Sequence, residues 1–121
     1  MPLTDENVRL ALLYDLYGGL LTQKQRDIFE LYRSEDLSLG EIAQHLGISR
    51  QGVRDALVHA EDSLRSYEEV LGMLAQQQER ESLLAEAAET VRRLEVYVSG
   101  IQGHSELKKL DSLLEALAGQ E

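Results

Sequence analysis

The sequence predicts an all-α fold, and three observations carry that prediction. Apolar residues recur at spacings of three and four along most of the 121-residue chain, the pattern of helices that bury one face. A hydroxyl residue followed three positions later by Glu or Gln precedes two of these runs, and Gly follows several of them, which marks helix starts and stops. No window alternates apolar and polar residues between turn signals, and β-branched residues are sparse, so no strand is predicted.

Val8, Leu12, Leu13, Leu16 and Leu20 give helix one, over Asn7 to Tyr17, with Gly18-Gly19 weakening it. Thr22 and Gln25 form a start signal for helix two, which is expected to bury Ile28, Phe29, Leu31 and Tyr32 and to end at Ser34-Glu35-Asp36. Ser38 and Glu41 repeat that signal for a helix three of about two turns. Gly47 stands where the chain must turn, and Ser49 caps helix four. In helix four, Val53, Leu57, Ala60, Leu64, Tyr67, Leu71 and Leu74 follow one another at a period near 3.5 residues. The polar run Gln76 to Glu81 marks either a hinge or an exposed stretch of one continuing helix, and a break is expected near it. Leu83, Leu84, Ala87, Val91, Leu94 and Val98 then give a further helix, closed by Gly100 and Gly103, and Leu107, Leu110, Leu113, Leu114 and Leu117 give a last one. Two regions are expected: 1–75, containing four helices, and 76–121, a Leu-rich helical tail, which together could form one continuous domain.

Composition narrows function before any motif does. The chain is 43% hydrophobic and 28% charged, with one Pro, as in globular proteins. It has no Cys, which removes disulfides, thiolate metal sites and thiol nucleophiles. The start Met1-Pro2-Leu3-Thr4-Asp5-Glu6 lacks a basic signal-peptide region, and no apolar run approaches the roughly 18 residues that span a bilayer. A cytoplasmic location, no membrane partner and no small-molecule substrate are expected. The formal charge is −10. Split at Ser66, the front carries seven basic and eleven acidic residues, net −4, and the back five and eleven, net −6. Neither part is basic, which weighs against nucleic-acid binding.

Leu39 to Leu57 has the layout of a helix-turn-helix: two helices joined by a tight Gly turn, with small and aliphatic residues at their crossing. Ile42 and Leu46 face the core, Ala43 lets the helices approach, Ile48 plugs the turn, and Val53 and Leu57 anchor the second helix. The exposed start of that second helix would be Ser49, Arg50, Gln51 and Arg54, residue types that bond phosphates and base edges. The same residues are equally compatible with a capping Ser and two solvated arginines. From Ser38 to Ser66 there are three basic residues against four acidic ones, and Asp55 sits beside Arg54.

Tyr14-Asp15-Leu16-Tyr17, Leu20 to Gln25, Leu31-Tyr32, Asp36 to Ala43, Ile48 to Asp55 and Tyr67-Glu68-Glu69 together resemble the YlxM/p13 family over about residues 8 to 75. That resemblance implies a small, cytoplasmic, non-enzymatic helix-turn-helix protein associated with the signal recognition particle operon, assisting or regulating that pathway. It also implies that Ser49, Arg50, Gln51 and Arg54 form the contact surface for DNA or for signal recognition particle RNA or protein, with Thr22, Ser38 and Glu41 as caps. The front end is similar to the promoter-reading region 4 of sigma factors, although the chain has no room for a core-polymerase-binding domain. Nothing carries over to residues 82–121.

Other chemistry finds little footing. No two of His45, His59 and His104 share the spacing that puts two metal ligands on one helix face, so neither a metal nor another cofactor is expected. Glu61-Asp62 and Glu68-Glu69 read as solvated faces rather than acid–base pairs. Tyr14, Tyr17, Tyr32 and Tyr67 read as core or rim packing, with base stacking as the alternative. The tail's Leu stripe predicts packing on helix four or a homodimer. Two other functions stay open: an acidic protein-interaction module using the helix-turn-helix as scaffold, and a dimeric repressor on a palindromic operator.

Overall fold

The computed structural model describes residues 4–119, and among them every regular element is helical, as the periodicity predicts. The helices are α1 (Asp5–Tyr17), α2 (Gln23–Arg33), α3 (Leu39–Leu46), α4 (Arg50–Leu71), α5 (Met73–Leu94) and α6 (Ile101–Ala118), with a single 3-10 turn, Gly18–Leu20, after α1. The chain divides into two compact units, Met1–Leu74 and Ala75–Glu121. No helix among the described residues is long and apolar enough to cross a membrane.

The starts of the front helices are fixed by side chains that satisfy otherwise unpaired amides. At α2 the Gln25 amide donates to Thr22 Oγ1 (3.2 Å) while the Thr22 amide donates to Gln25 Oε1 (3.0 Å). At α3 the Glu41 amide donates to Ser38 Oγ and the Ser38 amide to Glu41 Oε1, both at 3.1 Å. Between α3 and α4, Gly47 adopts φ 69°, a left-handed conformation that costs a residue with a side chain more.

In the first unit α4 packs against α1, α2 and α3. Leu10, Leu13 and Tyr17 of α1, Ile28 and Phe29 of α2, Ile42 and Ala43 of α3, and Val53, Leu57, Ala60 and Leu64 of α4 form one buried cluster, completed by Leu21 and Leu74. Burying each large side chain contributes roughly 1.5–3 kcal/mol. Tyr14 lies on Phe29 with ring centroids 4.4 Å apart, and Tyr67 is tilted against Tyr17. The tyrosines of the sequence reading are thus core and rim. Arg33 crosses the Phe29 ring at 5.0 Å and donates to Asn7 Oδ1 and Glu61 Oε1, both at 3.0 Å, tying α2 to α1 and α4.

Three expectations need correction. Helix one turns Leu10, Leu13 and Tyr17 inward, while Val8, Leu12 and Leu20 are exposed. Its segment is apolar on nearly every side, so spacing alone cannot fix which stripe is buried. The helix break falls at Gly72, with φ 63°, and α5 runs unbroken through Gln76 to Glu81. Leu71 is therefore exposed at the end of α4, whereas Leu74 is buried from α5. Glu68, read as solvated, is only 8% exposed.

Glu68 is buried because the break at Gly72 leaves the first amides of α5 needing acceptors. The Leu74 amide donates to Glu68 Oε1 (2.9 Å), the Tyr17 hydroxyl donates to the same oxygen (2.7 Å), and the Met73 amide donates to the Tyr17 hydroxyl oxygen (3.0 Å). A carboxylate at a helix N-terminus is also favoured by the helix dipole. Burial, together with the Glu68 bond, pushes the Tyr17 phenol above its usual range.

Tyr17→Phe removes one donor and one acceptor from this cluster and is expected to cost about 2 kcal/mol, a drop in Tm on the order of 10 °C for a unit of this size. Thermal melting followed by circular dichroism checks it. Burial and the bond to Glu30 (2.6 Å) raise the Tyr14 phenol from 10.0 to about 12. The folded state therefore holds that proton more tightly than the unfolded chain, so the Tyr14 contribution is complete below pH 10 and is lost as pH rises from 10 to about 12. The Tm difference between the protein and Tyr14→Phe should stay constant from neutral pH to pH 10 and shrink across that window.

Candidate nucleic-acid interface

Residues α3 to α4 form the helix-turn-helix that the spacing predicts. Ile42 and Val53 are fully buried at the crossing and Ala43 is nearly so, while Leu46 and Ile48 are half-buried against the same cluster. This packing fixes the first turns of α4 on the surface of the unit, where Ser49, Arg50, Gln51 and Arg54 are all exposed.

The four residues are not equivalent. Ser49 Oγ accepts from the Gly52 amide at 2.9 Å, so it is engaged as the cap of α4. Its hydroxyl proton remains available to an acceptor. Gln51 Nε2 donates to Asp55 Oδ1 at 2.9 Å, one turn further along, which orders both side chains and sets a carboxylate beside Arg54. Arg50 and Arg54 make no ion pair among the described residues. Arg65, the third basic residue of α4, is held by Glu6 (2.7 Å) and Asp62 (3.2 Å).

The Arg50 guanidinium lies close to Gly40 in the first turn of α3: a Cβ built on Gly40 would meet Arg50 Nε at 3.5 Å. Ser38, Gly40, Gln44, Ser49 and Arg50 line an open depression there. Two helix starts border it, and helix starts present positive potential and free amides. Glu41 is the opposing charge: the bond from the Ser38 amide holds its carboxyl below the usual carboxylate range. The local arrangement is thus two uncommitted guanidinium groups, ordered Gln and Ser side chains, and two carboxylates within the same surface. That surface can bond phosphate oxygens and base edges.

Among the described residues no three His, Asp or Glu side chains converge where they could hold a metal ion. What the sequence reading missed lies at the far end of α4, where Glu68 follows Leu64 by four residues and so falls on the buried stripe. That spacing was the available signal.

A family described as "Putative helix-turn-helix protein, YlxM / p13 like" matches residues 4–102. A UPF0122 protein of Caldanaerobacter subterraneus subsp. tengcongensis is 60% identical over 75 residues, covering 62% of this chain and 64% of that relative. One from Desulforamulus reducens is 46% identical over 93 residues, 76% of each chain, and one from Listeria welshimeri is 47% identical over 78 residues, 64% of this chain and 71% of the relative. The chain thus spans slightly under two thirds of the Caldanaerobacter protein's length.

Ser49→Ala should remove the α4 cap and lower stability by about 1 kcal/mol. Urea unfolding measures it, and an unchanged midpoint would mean that Ser49 Oγ is not engaged in capping.

Proposed function

The chain belongs to the YlxM/p13-like helix-turn-helix family, and on that premise we propose that it is a cytoplasmic, non-enzymatic accessory factor of the signal recognition particle pathway that binds nucleic acid through the start of α4. The resemblance supplies the pathway. The observation that carries the binding surface is the difference between Arg65, paired with Glu6 and Asp62, and Arg50 and Arg54, which make no ion pair among the described residues. Arg50 and Arg54 contact phosphates or guanine edges, Gln51 reads a base edge, and the Ser49 hydroxyl donates to a phosphate. A net charge of −10 does not preclude this, because at physiological salt charges beyond about 8 Å are largely screened.

The overall acidity favours a second reading, in which the helix-turn-helix is a scaffold and an acidic surface binds a basic protein. Fluorescence anisotropy against signal recognition particle RNA, a random duplex DNA and the particle's protein subunit separates the two. The first reading predicts binding to nucleic acid with a log–log salt slope of about −2, one counterion for each of two arginines. Arg50→Glu with Arg54→Glu should abolish that binding and leave helicity unchanged. Binding to the protein subunit alone, or full affinity in the double variant, overturns the α4 surface. Asp55→Asn, which removes the carboxylate beside Arg54, should raise nucleic-acid affinity about fivefold at low salt, on the order of 1 kcal/mol of screened repulsion.

A further inference from the structure

The second unit carries too little core for two helices to stand on their own. Between Ala75 and Gly119 one side chain, Val91 at 4% exposure, is buried. Helix pairs of this length gain their stability from packing of an apolar face rather than from intrinsic propensity. Yet Leu83 of α5 is 59% exposed, and Leu110, Leu113 and Leu117 of α6 are 41%, 53% and 43% exposed.

All four leucines line grooves of the second unit. Leu83 and Leu117 line one shallow groove, together with Ala87. Leu110 and Leu113 line a second groove that continues along the same face of α6, since 110, 113 and 117 recur at three and four residues. The two grooves are edged by Glu79 and Arg80 on α5 and by Glu106 and Lys109 on α6. None of these four charges is ion-paired among the described residues. Arg80 donates to the Leu117 carbonyl at 3.2 Å, holding the two helices together at that edge.

We propose that this leucine face binds the same face of a second copy of the chain, closing a two-fold four-helix bundle. The charges select that occupant. A rim with two carboxylates and two cations is complementary to itself, whereas a uniformly basic or acidic partner would meet like charge along half of it. A two-fold contact places each patch against its own copy. A third groove of the unit lacks this property: Ala85 and Ala88 line it together with Glu81, Asp111 and Glu115, and its one arginine, Arg92, is already paired with Glu89 at 2.8 Å. The family match ends at residue 102, so Leu110, Leu113 and Leu117 lie beyond it. The dimer is independent of the proposed nucleic-acid contact.

Sedimentation equilibrium on the full chain should give twice the 13.6 kDa chain mass at tens of micromolar, and Leu83→Glu with Leu113→Glu should return it to the single-chain mass. The chain has no Cys, so single substitutions report position without interference. Leu113→Cys should be shielded from a thiol reagent and become reactive on dilution, while Ala85→Cys reacts at the same rate throughout. A single-chain mass at every concentration overturns the proposal and leaves the leucine face to a different protein. So does a dimer that survives the double substitution or shields Ala85→Cys instead.

Discussion

The front unit depends on one hydrogen-bonded cluster at the break between α4 and α5. Gly72 ends α4 in a left-handed conformation and α5 starts at the next residue, leaving no stretch of loop in which a capping side chain could sit. Glu68, one turn back on α4, supplies the missing acceptor to the Leu74 amide, and Tyr17 joins Glu68 to the Met73 amide. A buried carboxylate is tolerable only when its hydrogen bonds are made. The cluster makes them from three segments of chain, and so fixes the end of α1, the end of α4 and the turn into α5 together. The other end of α4 is held by Ile42 and Val53. With both ends held, its first turns are presented on the surface of the unit.

Charge in this protein has to be read locally. Thirteen of the acidic residues and seven of the basic ones lie in residues 1–74, and several of those opposite charges are joined in ion pairs. Arg33 spans Asn7, Glu61 and Phe29, and Arg65 spans Glu6 and Asp62. Glu68 is withdrawn from the surface altogether. Among the described residues these pairings leave Arg50 and Arg54 as the cations of α4 without an ion pair. Asp55 and Glu41 temper the surface without neutralising it, because Asp55 is engaged by Gln51 and Glu41 by the Ser38 amide.

Much of the fold was legible in the sequence because its signals were local. The Thr22–Gln25 and Ser38–Glu41 pairs, the Ser49 cap and the left-handed Gly47 each act within four residues, and each sits where the pattern places it. The same holds for Ile42, Ala43, Val53 and Leu57, whose spacing defines the helix crossing. Two of the three misreadings turn on non-local contacts. Which stripe of α1 faces inward is decided by three other helices, since Val8, Leu10, Leu12 and Leu13 offer more than one apolar face. The polar run Gln76 to Glu81 breaks nothing, because Gln, Glu and Arg are good helix formers; Gly72 with its left-handed backbone is the stronger stop. Glu68 reads as a solvated carboxylate in the sequence because its partner, Tyr17, is 51 residues away. At the candidate interface, exposure of Arg50 and Arg54 follows from the pattern, whereas the Gln51–Asp55 bond and the pairing of Arg65 are seen only in the fold.

The claim that the start of α4 is the working surface is tested most directly by amide chemical-shift mapping of the full chain during titration with signal recognition particle RNA and, separately, a random duplex DNA. The largest shifts should cluster on residues 38–41 and 49–55, around the depression shared by α3 and α4, with the Arg50 and Arg54 guanidinium resonances moving as well. Shifts confined to α5 and α6, or none with either nucleic acid, would contradict it.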